Sequence, residues 1–163
     1  MKELLLLPLL LLAACSMIVE KPKVNLSDVR FAGLDGDGAT IDFLLTVTNP
    51  NSFDLPLNGY SYTVHMMALP LSRGESKDSV IFPGKTATDV LIPARLKYSD
   101  VLQILRRRPG LNEIPYQLTA DLAVGTPIGD ITVPVRKSGV VAVPEKYRPG
   151  TLLRKFGDFL KRN

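Results

Sequence analysis

The chain has no tryptophan, one cysteine and one histidine in 163 residues. A lone thiol excludes an internal disulfide and any zinc site built on several cysteines. His65 is the only imidazole, and general-base work needs oriented partners that the sequence does not supply. Neither a glycine-rich phosphate loop nor a nucleophile elbow is present. Nor does any apolar run reach the roughly 20 residues of a membrane-spanning helix. These absences point away from an enzyme: no catalytic residue, cofactor or metal ligand is assigned.

What is present begins with the cysteine itself. Leu4 to Ala14 is apolar throughout, interrupted by Pro8, and Cys15 follows directly. That length suits the hydrophobic part of a secretory signal. Leu12-Ala13-Ala14-Cys15 looks like a bacterial lipobox, with small residues before the cleavage point and a thiol to be acylated. The expectation is a signal peptide over residues 1–14, cleaved between Ala14 and Cys15, and a lipidated tether over residues 15–23. Membrane lipid would hold the protein through N-terminal acyl chains, stably where several chains are attached. Ser16 after the cysteine resembles outer-membrane sorting in Gram-negative lipoproteins, so the expected place is the cell envelope, at the outer membrane facing the periplasm.

Beyond the tether the pattern has period two. Ile41, Phe43, Leu45 and Val47 share one face of a strand; Tyr60, Tyr62, Val64 and Met66 share another. Ile114, Tyr116, Leu118, Ala120, Leu122 and Val124 form a long apolar face, and Ile131, Val133 and Val135 repeat it. Shorter candidates are VNLSDVRF, SVIF and TDVLIPARL. Asp35-Gly36-Asp37-Gly38, Asn49-Pro50-Asn51, Asn58-Gly59, Pro83-Gly84 and Gly125 punctuate them as turns. About seven half-buried strands predict an all-β antiparallel sandwich. One stretch departs from the period. Ser99 is placed to cap a helix, with Asp100 in its first turn. Val101, Leu102, Ile104 and Leu105 form its stripe, and Pro109-Gly110 stops it. This is a single short crossover helix.

The order of these features resembles the water-stress and hypersensitive-response (WHy) domain of group 2 late-embryogenesis-abundant proteins. KPKVNLSDVRFAGL opens the domain, and IDFLLTVTNPNSFDLPLNGYSYTV carries Asn49, Pro50 and Asn51 at a strand end. PLSRGES looks like the following glycine turn, and VPVRKSGVVAVP like the closing strand. The resemblance implies a fibronectin-III-like (immunoglobulin-like) sandwich over residues 24–144. It also implies a protective, non-catalytic role under dehydration or envelope stress.

Asn49-Pro50-Asn51 has a physical reading of its own. Asn49 stays extended before proline, Pro50 ends the ladder, and Asn51 tolerates a left-handed turn while its amide serves nearby backbone. Structure, rather than ligand binding, accounts for all three. Alternation sends His65 outward with Ser61 and Thr63. Asp35 and Asp37 read as a hairpin turn, because no distal glutamate completes a calcium loop. The run from Arg106 to Arg108 matches the negative end of the helix dipole. Met66, Met67 and Leu69 are candidates for an adaptable client surface, with core packing the expected fate of Met66.

Charge is uneven. Residues 1–144 balance at 14 basic and 14 acidic, whereas residues 145–163 hold six basic and two acidic. The basic excess therefore describes a tail, not a nucleic-acid-binding domain. At helical spacing Leu152, Leu153, Phe156, Phe159 and Leu160 fall within an arc of roughly 120°. Arg154, Lys155, Lys161 and Arg162 lie off it. Such a C-terminal amphipathic helix either packs on the domain or lies on anionic phospholipid. The functional expectation is a membrane-anchored periplasmic protein that stabilises unfolding envelope proteins or membranes during water stress. The alternative is a module that binds lipid or a membrane complex in the envelope.

Overall fold

A computed structural model of the chain describes residues 19–67, 69–77, 79–107 and 112–148. Cys15, the signal segment and the tail from Pro149 onward lie outside the described residues. Eight strands and one helix follow in chain order: β1 (Lys23–Leu34), β2 (Gly38–Thr48), β3 (Leu55–Met66), β4 (Leu69–Ser76), β5 (Val80–Phe82), β6 (Ala87–Lys97), α1 (Tyr98–Arg107), β7 (Glu113–Thr126) and β8 (Gly129–Ala142). They form two antiparallel sheets. One has the order β1-β2-β6; the other has the order β4-β3-β7-β8, with β5 pairing the first part of β3.

The alternation read from the sequence faces the sheets toward each other. Phe43, Leu45 and Ile92 from the smaller sheet meet Val64, Leu118 and Leu122 from the larger, all with no exposed surface. Burying each such side chain contributes about 1.5–3 kcal/mol relative to leaving it in water. The Tyr116 ring meets Phe43 edge-on at 5.2 Å. Burial also pushes the Tyr116 hydroxyl pKa up.

Strand β1 keeps its inward face by a less regular route. Val24 and Leu26 point in, then Val29 and Phe31, then Leu34. Register shifts between Leu26 and Asp28, and between Phe31 and Gly33, supply the extra residue each time. Each bulge restores the inward set that strict alternation would have lost.

Four local expectations are corrected. PLSRGES is not a turn but strand β4, in which Gly74 lies opposite Tyr62; this raises the strand count to eight. Asn58-Gly59 does not end a strand. It is a bulge inside β3, with Gly59 at φ 152° and a register shift from Leu57. The inward set thereby passes from Leu55 and Leu57 to Tyr60, Tyr62, Val64 and Met66. Gly125 lies within β7, and the hairpin turn falls at Pro127 and Ile128. Finally, α1 starts one residue before Ser99. The Lys97 N–H donates to the Asp100 carboxylate at 3.2 Å, so Asp100 closes the helix start from within its first turn. Of the stripe's described side chains, Ile104 is buried and Val101 half-buried, but Leu102 is 51% exposed.

Candidate functional site

The two ends of the sandwich have different chemistry. At one end β2 stops at Thr48, and Asn49 and Asn51 are both buried, at 0% and 5% exposure. Burying an amide without partners costs about 1–3 kcal/mol. Here the partners are present. Asn49 Nδ2 donates to the Phe53 carbonyl at 2.7 Å and to the Phe82 carbonyl at 2.9 Å. Its Oδ1 accepts from the Asn51 backbone N–H at 2.9 Å and from Asn51 Nδ2 at 3.0 Å. That fills both donors and both lone pairs of the Asn49 side chain.

Asn51 reaches further. Its Nδ2 donates to the Glu20 carbonyl at 2.8 Å, and its Oδ1 accepts from the Glu20 N–H at 2.9 Å. The side-chain amide therefore copies one rung of a sheet against backbone that precedes β1. Backbone bonds complete the knot: the Asn49 N–H donates to the Thr86 carbonyl and the Lys85 N–H to the Asn51 carbonyl, both at 2.9 Å. Lys85, in a left-handed conformation at φ 59°, also turns its ammonium onto the Pro50 carbonyl. The motif thus fastens the β5–β6 turn and the segment before β1 to one strand end. Glu20 and the buried Pro22, both within the expected tether, are part of the folded unit.

The other end is apolar and open. A cavity of about 220 Å³ lies where the sheets part under α1. Phe31 and Leu34 of β1 and Ile41 of β2 form one wall. Ile114 of β7 and Val141 of β8 form the facing wall, and Val101, Leu102 and Ile104 of α1 the roof. Tyr147, in a 3-10 turn after β8, packs against Phe31 with the rings tilted at 47° and centroids 4.9 Å apart, and completes the rim. Leu102 and Tyr98 stand at the mouth, both substantially exposed.

The remaining sequence candidates are placed as follows. Asp35 does form a hairpin turn. Its carboxylate accepts from the Asp37 and Gly38 N–H groups at 3.0 and 3.2 Å, and both oxygens receive Arg95 Nη2 at 2.8 Å. Those backbone donors, led by Asp37, with Arg95 beside them, hold the Asp35 carboxyl below its ordinary pKa. His65 is not a fully solvated strand residue. It is half-buried, and among the described residues its Nδ1 is shielded without a hydrogen-bond partner. Met66 is fully buried, and Met67 packs half-buried against the core at φ 50°. Cys15 and the surface candidates Leu152, Arg154, Lys155, Phe156, Phe159, Leu160, Lys161 and Arg162 lie outside the described residues.

A family model described as late embryogenesis abundant protein matches residues 44–139, from within β2 into β8. The chain belongs to this family. Relatives in the late embryogenesis abundant family include two desiccation-related proteins of Arabidopsis thaliana, each 28% identical. One aligns over 127 residues, covering 77% of this chain and 76% of its own length. The other aligns over 128 residues, covering 77% and 84%. The solution structure of the first, a late embryogenesis abundant protein, superposes with a TM-score of 0.64 at 27% identity over 77% of this chain and 73% of that one. The family match includes Asn49, Pro50 and Asn51 but not their partner Glu20, and it ends before Val141 and Ala142, the residues that β8 gives the groove.

Proposed function

We propose that this late embryogenesis abundant protein is a lipid-anchored, non-catalytic stabiliser of the bacterial cell envelope under water loss. The observation that carries the reading is the extent of the family match. It runs from within β2 into β8, and relatives that align over about three quarters of this chain are named for desiccation. The buried asparagines support a role through the folded surface, because the Asn49 amide is fully occupied inside the domain and Asn51 is bound on both sides. Cys15 would carry the acyl chains and hold the domain at the outer membrane facing the periplasm, within reach of unfolding envelope proteins or anionic phospholipid.

Two experiments test this. A deletion strain should survive drying less well than the same strain complemented with the gene; equal survival would refute the protective role. Cys15→Ala should abolish acyl labelling and either release the protein from membranes or leave its signal uncleaved. A variant that is cleaved and still fractionates like wild type would refute the anchor.

The apolar groove favours a second reading, a module that carries lipid or docks a membrane complex. Stoichiometric lipid in the purified protein, detected by mass spectrometry, would support that reading over protection.

A further inference from the structure

Among the described residues the larger sheet has β4 at one edge and the smaller has β6, and these two edges lie side by side. A second cleft, of about 740 Å³, opens on this flank of the sandwich. Tyr62 crosses from one sheet to the other there, its hydroxyl donating to the Pro93 carbonyl at 2.9 Å. Leu71 of β4 and Leu96 of β6 give the cleft an apolar lining beside that ring.

The charge of the cleft is one-sided. Arg73 of β4 and Arg95 and Lys97 of β6 line it, against the single carboxylate of Asp37. Arg95 Nη2 is held by Asp35 at 2.8 Å and lies 3.6 Å from Asp37. Among the described residues the side chains of Arg73 and Lys97 have no carboxylate partner, and both residues are exposed.

The backbone of β6 adds a third element. In an antiparallel ladder alternate residues turn their N–H and C=O groups away from the partner strand. Two bonds mark those residues on β6. The Pro93 carbonyl accepts from Tyr62, and the Lys97 N–H donates to Asp100 at 3.2 Å. The register of β6 on β2 is unbroken, so Arg95, midway between them, turns its N–H and C=O the same way. No bond among the described residues takes these two groups.

These features select an occupant. A compact phosphate would use the cations and leave the apolar lining and the free backbone rung unused. A basic strand would be repelled. Proline and lysine blunt an edge against indiscriminate pairing, and here the cations also sort the partners that remain. Arg95 and Lys97 lie on one face of β6 and Leu96 on the other. An extended segment with carboxylates on one face and apolar side chains on the other matches both faces and the rung.

We infer that the cleft between β4 and β6 binds an acidic, extended peptide segment, which pairs with the Arg95 backbone and sets its carboxylates against Arg73 and Lys97. The protective role is not needed for this: peptide binding and survival of drying can fail separately.

The probe is a fluorescently labelled peptide of alternating glutamate and valine, added to the full chain in nanodiscs of neutral phosphatidylcholine. Anisotropy should show saturable binding that salt weakens. The same peptide with lysine in place of glutamate should bind at least roughly tenfold more weakly. Arg73→Glu combined with Lys97→Glu should exchange this preference, which unfolding cannot do, and circular dichroism should show melting retained. Four results would overturn the inference. Equal affinity for the two peptides, or wild-type affinity in the double variant, would place the binding elsewhere. Full affinity for a peptide N-methylated at its glutamates would show that the Arg95 rung is not used. Binding of inorganic phosphate without binding of the peptide would make the cleft a simple anion pocket. Wild-type dimers that the double variant abolishes, with no peptide bound, would make the occupant a second copy of the chain.

Discussion

The two ends of the sandwich solve opposite problems with the same strands. At the end holding Asn49 and Asn51, polar groups are buried and hydrogen-bonded, and three chain segments are tied at one point. At the groove end, apolar side chains from both sheets and α1 surround space that the described residues do not fill. A core needs closure at both ends. Amide bonds close one with fixed geometry, because an unpaired buried amide is expensive. Apolar contact at the other is non-directional and tolerates a change of occupant. The first end is therefore suited to permanence and the second to exchange.

The sharpest way to break the comparison is at Gly38, where β2 begins beside the groove. Its φ is 153°, and a Cβ there would stand 1.9 Å from the Leu96 carbonyl oxygen. Gly38→Ala should destabilise the domain by about 3 kcal/mol or more, because backbone must move. A chemical denaturation curve measures this. A loss below about 1 kcal/mol would show that the groove end yields even in its backbone.

Next come the amides. Asn49→Ala strands the Phe53 and Phe82 carbonyls and should cost about 2–3 kcal/mol; Asn51→Ala should cost about 1–2 kcal/mol. The smaller loss should be local, with fast amide exchange at Glu20 and unchanged exchange in β7. Stress protection in both should fall only as far as the folded population falls. Lost protection at unchanged melting would instead make the motif a binding site.

The smallest effect is electrostatic and belongs to the groove-end hairpin. The Asp35 carboxyl titrates below its ordinary value of 3.8, chiefly through the Asp37 N–H, with Arg95 contributing. A depressed folded pKa means its contribution is complete above the unfolded value and disappears as pH falls through the folded one. Wild-type melting temperature should therefore drop more steeply below about pH 4 than that of Asp35→Asn. Parallel curves would show that the exposed pair contributes nothing measurable.

Much of this architecture was legible in the sequence. Ile41 to Val47 and Tyr116 to Val124 alternate without error, because each strand has one face on the core. Asn49-Pro50-Asn51 announced a strand end through proline's missing N–H. What could not be read was non-local. Nothing near Glu20 signals that an amide 31 residues later will hold it. Asn58-Gly59 has the composition of a hairpin turn, yet the pairing of β3 with β7 continues past it, so tertiary contact overrode local preference. The groove is invisible for the same reason: its walls come from β1, β2, α1, β7 and β8, and only the assembled ends define it.

The grip of Asn51 on Glu20 also sets where force enters the domain. Among the described residues β1 is an edge strand paired with β2, and its first rung pairs Lys23 with Thr48. A pull on the N-terminal segment would otherwise peel that edge one rung at a time. The side-chain rung lies upstream of the first backbone rung, and Asn51 is itself bonded to Asn49 and the Lys85 backbone. Tension is thus delivered to a three-segment junction rather than to the lip of a strand. If Cys15 is the anchor, it lies five residues before Glu20, a span of no more than about 18 Å. The groove mouth, roughly 30–36 Å along β1 from Glu20, then becomes the far pole of a moored body.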